Sequence, residues 1–261
     1  MATLRVASFN INSIRIRLAD LIVWMNSFQP DVVCLQETKV QDKDFPLTAL
    51  NDAGYYSTYL GEKGKNGVAI LSKQKPDHIS FGLDEWGAPG EARLIYAAFD
   101  NYTVVNTYVP QGREVDTDYF QYKLDWMTHM RDYFSRHFTP EDRVLWLGDF
   151  NVAPDALDVH DPKRLAGRVG FHPAEQAALR TVRDWGFTDI FRKHCPQGNL
   201  YSFWDYRIKN ALERGLGWRI DHIYATKSLA DYSRSAAIDT ELRKKSRPSD
   251  HAPITATFEL T

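Results

Sequence analysis

Val144-Leu145-Trp146-Leu147-Gly148-Asp149-Phe150-Asn151 decides how this chain folds. An apolar run of strand length stops at a glycine, and a carboxylate and an amide follow within three residues. The arrangement recurs. Leu4 to Phe9 stops at Asn10, Val32 to Gln36 stops at Glu37, and Thr103 to Thr107 ends at Tyr108, just ahead of Pro110. Trp218-Arg219-Ile220 leads into Asp221, and Asp250-His251 precedes the strand-like Pro253 to Phe258. Short length and β-branched content predict strands in each case. A rigid sheet can hold a side chain still at such strand ends. Further strands are expected at Gly67 to Ser72 and Arg93 to Phe99.

Apolar residues at helical spacing predict helices over Ser13–Phe28, closing before Pro30, and over Asp116–Phe138. Another is expected over Pro173–Trp185, with proline in its first turn and Gly186 beyond its end. Strands outnumber helices, and they come both in pairs and with helical crossovers. The pattern predicts two packed sheets with helices outside, not a purely parallel doubly wound sheet. Ser8-Phe9-Asn10 and Gly148-Asp149-Phe150-Asn151 look alike, as the matching strand ends of two pseudo-equivalent halves would.

The 261 residues carry 32 Lys and Arg against 34 Asp and Glu, a net charge of −2. Any nucleic-acid surface must therefore be local. The chain is 43% hydrophobic and 13% aromatic, too much for a disordered linker and enough for a large core. No apolar run approaches the roughly 18–20 residues of a membrane span, and the opening residues lack a signal-peptide core. Cys34 and Cys195 make no disulfide framework. Cys34 reads as a buried inert thiol, and His194-Cys195 as a partly exposed structural pair. The expectation is a soluble, cytoplasmic, monomeric single domain over 1–261 with no membrane partner.

Gathered in one pocket, Asn10, Glu37, Tyr108, Asp149, Asn151, Asp221, Asp250 and His251 would bring together four carboxylates, two amides, a phenol and an imidazole. Four desolvated carboxylates repel one another unless a cation joins them. A hard ion such as Mg²⁺, with Mn²⁺ as the alternative, accepts one or two carboxylates and takes the rest of its shell from water and phosphate. No Cys/His spacing suits zinc. Each residue also has an ordinary reading. Asp149 and Asn151 could form a turn, Ser249-Asp250-His251 a cap, Tyr108 core packing, and Asp221 a pair with Arg219. Repetition of one arrangement at six strand ends favours the site.

Ser8-Phe9-Asn10-Ile11-Asn12, Leu35-Gln36-Glu37-Thr38-Lys39, Tyr108-Val109-Pro110-Gln111-Gly112, Gly148-Asp149-Phe150-Asn151, Gly217-Trp218-Arg219-Ile220-Asp221 and Ser249-Asp250-His251-Ala252-Pro253 occur in that order. Together they resemble the exonuclease III family of apurinic/apyrimidinic (AP) endonucleases, within the endonuclease/exonuclease/phosphatase superfamily, from Leu4 to Phe258. The resemblance implies an α/β (α+β) fold, a four-layer αββα sandwich of two mixed β-sheets packed face to face with helices outside. It implies Mg-dependent hydrolysis of the phosphodiester 5′ to an abasic site in double-stranded DNA, leaving a 3′-hydroxyl. Exonuclease action from 3′ ends and removal of blocked 3′ ends are implied with it, as is nucleoid association through DNA.

The same resemblance assigns roles. Glu37 would hold the metal, with Asp250 and Asn10 as ligand or support. Asp149 would take the proton of the attacking water and Asn151 would fix phosphate or water. His251, held by Asp221, would stabilise charge on the phosphate, and Tyr108 would donate to phosphate or leaving oxygen. Phe203, Trp218 and Ile220 would form a small apolar pocket that admits a sugar lacking its base. Arg93, Gln111 and Arg113 would reach the DNA backbone, and Asn12 would contact the substrate. Asn12 stands where some relatives carry aspartate, so one metal is expected. Locally basic runs, net +2 over 203–220 (Arg207, Lys209, Arg214, Arg219) and net +3 over 241–247, could grip phosphates, and 155–170 would overhang the DNA.

Overall fold

In the computed structural model, which describes residues 2–84, 86–88 and 90–260, every residue of Val144–Asp149 and of Val32–Gln36 is buried. Both are inner strands covered on two faces, which is why they read as unbroken apolar runs. The strands are β1 (Ala2–Asn10), β2 (Val32–Gln36), β3 (Tyr56–Leu60), β4 (Val68–Ser72), β5 (His78–Phe81), β6 (Leu94–Phe99), β7 (Tyr102–Tyr108), β8 (Val144–Asp149), β9 (Phe187–Asp189), β10 (Asp221–Thr226), β11 (Ser233–Ile238) and β12 (Ile254–Leu260). The helices are α1 (Ile14–Phe28), α2 (Leu47–Asp52), α3 (Asp118–His137), α4 (Pro162–Leu165), α5 (Pro173–Arg183), α6 (Ile190–His194) and α7 (Lys227–Ala230).

One sheet runs β11-β12-β1-β2-β4-β3 and the other β5-β6-β7-β8-β10-β9. In the first, β1 and β2 are parallel and every other pairing is antiparallel. In the second, only β7 and β8 are parallel. The two sheets share one pairing pattern, and chain order matches β1-α1-β2 to β7-α3-β8. Ser8-Phe9-Asn10 and Gly148-Asp149 therefore lie on strands that are not equivalent, although their ends meet: Asn10 Nδ2 donates to Asp149 Oδ2 at 2.9 Å.

Three apolar layers hold the sandwich. Val6, Cys34, Ile70, Leu145, Ile223 and Phe258 pack between the sheets. The inner side chains of α1, including Leu21 and Met25, cover the outer face of the first sheet with Phe9 and Leu35. Trp126, Met130 and Phe134 of α3, with Leu179 and Val182 of α5, cover the second. The result is the expected four-layer αββα architecture. Local chemistry sets the helix ends. The Thr117 side chain caps α3 by accepting from Phe120 N. In α5, Pro173 opens the first turn and the Glu175 side chain accepts from the His172 N–H.

The long helices start or end one or two residues inside their expected bounds, which is where capping residues sit. The strand expected over Trp218–Ile220 lies instead at Asp221–Thr226 (β10), so Asp221 opens a strand and does not end one. β3, β5, β9 and β11 and the four short helices were not anticipated. These strands are short or half exposed, and their pairing comes from the neighbouring strand. Burial pushes the Cys34 thiol well up, so it is inert. Cys195 is half-buried with Sγ on the Ala236 carbonyl, and His194 Nε2 lies 2.9 Å from Ser233 Oγ.

Candidate active site

An open cavity of about 1440 Å³ lies at one edge of the sandwich. Eleven of the anticipated residues line it: Glu37, Tyr108, Gln111, Arg113, Asp149, Asn151, Phe203, Trp218, Ile220, Asp250 and His251. Asn10 and Asp221 stand fully buried behind them. The strand ends explain the convergence. β1, β2, β7, β8 and the start of β10 all terminate at this edge, and register pairs Tyr108 with Asp149 and Asp149 with Asp221.

Asn10 is the clamp between the sheets. Its Nδ2 donates to Glu37 Oε1 at 2.8 Å as well as to Asp149 Oδ2, and its Oδ1 accepts from Asn12 N at 3.1 Å. The Asn10 oxygen is thus engaged, and the residue holds carboxylates together through its amide nitrogen. Asn12 Nδ2 donates to Asp250 Oδ1 at 3.0 Å, and Lys39 Nζ reaches both Asn12 Oδ1 and Glu37 Oε2 at 2.6 Å. Asn151 N donates to Asp149 Oδ1 at 2.9 Å. His251 Nδ1 lies 2.8 Å from Asp221 Oδ2, and Nε2 lies 3.8 Å from Asp149 Oδ2. Asn12, Glu37, Lys39, Arg113 and Asn151 all have φ between 45 and 52°. Left-handed backbone at non-glycine residues costs energy and collects where function demands a geometry.

The electrostatics follow from burial. Burial alone would depress the His251 imidazole, but the Asp221 and Asp149 carboxylates outweigh it and raise it to about 10. Burial raises Asp149 to about 7; Asp221 and Glu37 push the same way, while His251 and the Asn10 amide oppose. Burial acts to raise Glu37 too, but Lys39 and Asn10 bring it below the usual carboxylate range. Burial, Glu37 and Asp149 keep the Tyr108 phenol protonated far above neutral pH.

The donor set suits a hard cation. Asp149, Asp221 and His251 can present ligand atoms within 4.8 Å of one another, but Asp221 Oδ2 is committed to His251. Glu37, whose two oxygens meet Asn10 and Lys39, and Asp250 line the cavity wall and could also hold the ion. A buried Asp221 Oδ1 with no hydrogen-bond partner fits a centre that lacks positive charge.

Phe203 and Trp218 are half-buried and pack with Ile220, Val159, Leu165 and Phe171. The Phe203 ring lies 4.9 Å from that of His251. Arg93 does not line the cavity; it pairs with Glu91, lies 4.8 Å over the Tyr108 ring and donates to Tyr108 O at 3.2 Å. Arg219 corrects an expectation. It is fully buried, with Nε 2.6 Å from Asp158 Oδ1 and Nη1 2.9 Å from Asp189 Oδ2, so it cannot grip a phosphate, nor does it pair with Asp221. Segment 155–170 is anchored by that same Asp158, while its His160, Arg164 and Arg168 line the cavity. Arg243 is also turned inward, onto Ser249 O. Sequence reasoning missed Ser202, whose Oγ accepts from Ile220 N and Asp221 N. It also missed the role of Ser249, whose Oγ donates to Asn10 O at 2.7 Å and accepts from His251 N. A serine beside each motif was the one available signal.

The model of the endonuclease/exonuclease/phosphatase family matches residues 7–251. Exodeoxyribonuclease III of Haemophilus influenzae is 36% identical, over 98% of this chain and 100% of the relative. The solved structure of an AP endonuclease from Archaeoglobus fulgidus aligns with a TM-score of 0.95 at 42% identity, covering 98% of this chain and 100% of that one. The 3′ phosphatase NExo from Neisseria, bound to product DNA hairpin, aligns with a TM-score of 0.93 at 32% identity, over 98% of this chain and 100% of that one. Among the described residues, no helix is long and apolar enough to cross a membrane. The chain belongs to the endonuclease/exonuclease/phosphatase family, among its exodeoxyribonuclease III-like AP endonucleases.

Proposed function

We propose that the cavity hydrolyses the phosphodiester 5′ to an abasic site in double-stranded DNA, leaving a 3′-hydroxyl, and that it also trims blocked 3′ ends. The observation that carries this reading is the apolar recess of Phe203, Trp218 and Ile220, which opens into the same cavity as the carboxylate–imidazole cluster. A sugar without a base fits such a recess and loses little stacking on leaving the duplex. The basic side chains around the rim, Arg113, Arg164, Arg168, Arg207 and Arg214, suit the phosphates of either strand despite the net −2.

Glu37 and Asp250 would hold Mg²⁺, which supplies charge for a nonbridging oxygen and the leaving alkoxide. Asp149, whose ionisation burial opposes, accepts the proton of the attacking water. Its Oδ1 is fixed by Asn151 N and its Oδ2 by Asn10. His251, protonated up to about 10, donates from Nε2 to a nonbridging phosphate oxygen, with Asp221 accepting from Nδ1 and fixing the ring's orientation. Tyr108 keeps its proton and delivers it to the leaving O3′ as the P–O3′ bond breaks. Arg93 beneath its ring supports that phenol.

The test is strand cleavage of a duplex carrying one tetrahydrofuran abasic analogue, with Mg²⁺ and with EDTA. The analogue cannot undergo β-elimination, so a cut must be hydrolytic. One Mg²⁺-dependent cut on its 5′ side is expected. Shortening of undamaged 3′ ends without that cut would keep the nuclease and remove the lesion recess from the account. Silence on both substrates would refute the reading.

A further inference from the structure

Lys123 lies on the buried face of α3 at 1% exposure, and no step described above uses it. An ammonium has three hydrogens, and here each finds an acceptor: Asn151 O at 2.7 Å, Gln111 O at 3.3 Å and Glu175 Oε1. Glu175 is equally buried. Its other oxygen accepts from Gly170 N at 2.8 Å and His172 N at 3.1 Å. One ion pair thus ties together the loop after β7, the turn after β8 and the entry to α5.

Two of those segments touch the proposed chemistry directly. Asn151 has φ of 52°, a conformation that a non-glycine residue keeps only when its surroundings hold it. Lys123 holds its carbonyl, and its own Nδ2 donates to Val109 O at 3.0 Å. Gly170 is wedged against the recess, since a Cβ there would lie 3.3 Å from the Trp218 ring and 3.5 Å from Asn151 O. Glu175 holds its N–H. The pair therefore spans from the residue facing the phosphate to the wall facing the sugar. A buried ion pair is a poor device for stability alone, because apolar side chains of similar volume often serve as well. They cannot donate to two loop carbonyls.

We propose that Lys123, with Glu175 as its counter-ion, is a positioning residue that keeps Asn151 in register with the Trp218 wall of the recess. The inference rests on the hydrolytic reading given above. A displacement of about 1 Å at a reacting group costs on the order of 100-fold in rate, and a partial shift of Asn151 is expected to cost tenfold or more.

The experiment compares wild type, Glu175→Gln, and the double variant Lys123→Met/Glu175→Gln on the tetrahydrofuran duplex, with kcat, KM and thermal midpoint measured for each. Glu175→Gln leaves a buried ammonium without its counter-ion but keeps the donors to both carbonyls. It should lose more midpoint and less kcat. The double variant removes both charges and the donors together, so it should lose less midpoint and more kcat, at least tenfold, with KM within about threefold. If kcat ranks with the midpoint across the three proteins, the pair is merely structural and the proposal is overturned. Should the double variant not fold, Lys123→Gln decides the matter. A tenfold loss of kcat at nearly constant KM supports positioning, and a smaller loss overturns it. A wild type that leaves the duplex intact would instead sink the functional reading, so the two failures are distinct.

Discussion

Replacing Arg219 with methionine removes a guanidinium that is fully buried and serves three partners. Nε meets Asp158 at 2.6 Å, and Nη1 meets Asp189 at 2.9 Å and His222 Nδ1 at 3.0 Å. Arg192 also reaches Asp158, so two carboxylates now face two guanidiniums. The variant would leave two carboxylates facing one, around side chains that are 0 and 14% exposed. Removing one partner of such a pair costs about 3–5 kcal/mol, a large part of the 5–15 kcal/mol typical of a native protein. At roughly 2–4 °C per kcal/mol for a domain of this size, the thermal midpoint should fall by about 6–20 °C at pH 7. Calorimetry across pH supplies a second check. Burial opposes ionisation of Asp158, but Arg219 and Arg192 prevail and hold its carboxyl below the usual range. Its stabilising contribution is therefore present above the unfolded pKa, near 3.9, and is lost as pH falls through the lower folded value. The gap between wild type and variant should narrow on acidification below about pH 4. A midpoint shift under about 3 °C at pH 7, or a gap that stays constant into acid, would refute this reasoning.

A Cβ at Gly148 would lie 1.9 Å from Thr107 O in the adjacent strand, at a φ of 155°. Gly148→Ala should accordingly cost at least about 3 kcal/mol by forcing β7 and β8 apart, and a denaturant midpoint like that of wild type would contradict the clash. Asp221→Asn keeps the shape at His251 but removes the charge, so kcat should fall on the order of 10³–10⁴. The alkaline limb of the rate profile should move to lower pH, and a limb that stays put would show that Asp221 does not sustain the imidazolium. The folded pKa of His251, about 10, exceeds its unfolded value of 6.5. Its contribution to stability is thus complete below about pH 6.5 and is lost as pH rises toward 10. Melting curves from pH 7 to 10 should show a decline that His251→Gln flattens, and parallel curves would count against the charged histidine.

Strand-end residues were readable because each motif carries its chemistry within a few consecutive positions. The short run before Asp149 already implied a strand with a carboxylate at its end. Lys123, Glu175 and Arg219 were not readable in this way. Lys123 looks like one polar residue among many on α3, Glu175 like an ordinary first-turn acid, and Arg219 like a surface cation beside a site. Their meaning depends on partners at 52 and 61 positions' separation, and nothing local marks such a partner.

The sequence by itself determined the two-sheet class, the inner strands and the set of polar groups at their ends, because hydrophobic periodicity and strand termination are local properties. Tertiary structure decided which of those groups share a proton, which charges are buried and which residues hold others in place. Asn10 reads from sequence as a ligand or its support, and the fold sets its amide nitrogen between Glu37 and Asp149; Arg219 reads as a phosphate contact until burial excludes it. Desolvation and pairing are set by what the fold brings together across long stretches of chain, and side-chain identity alone carries no record of that.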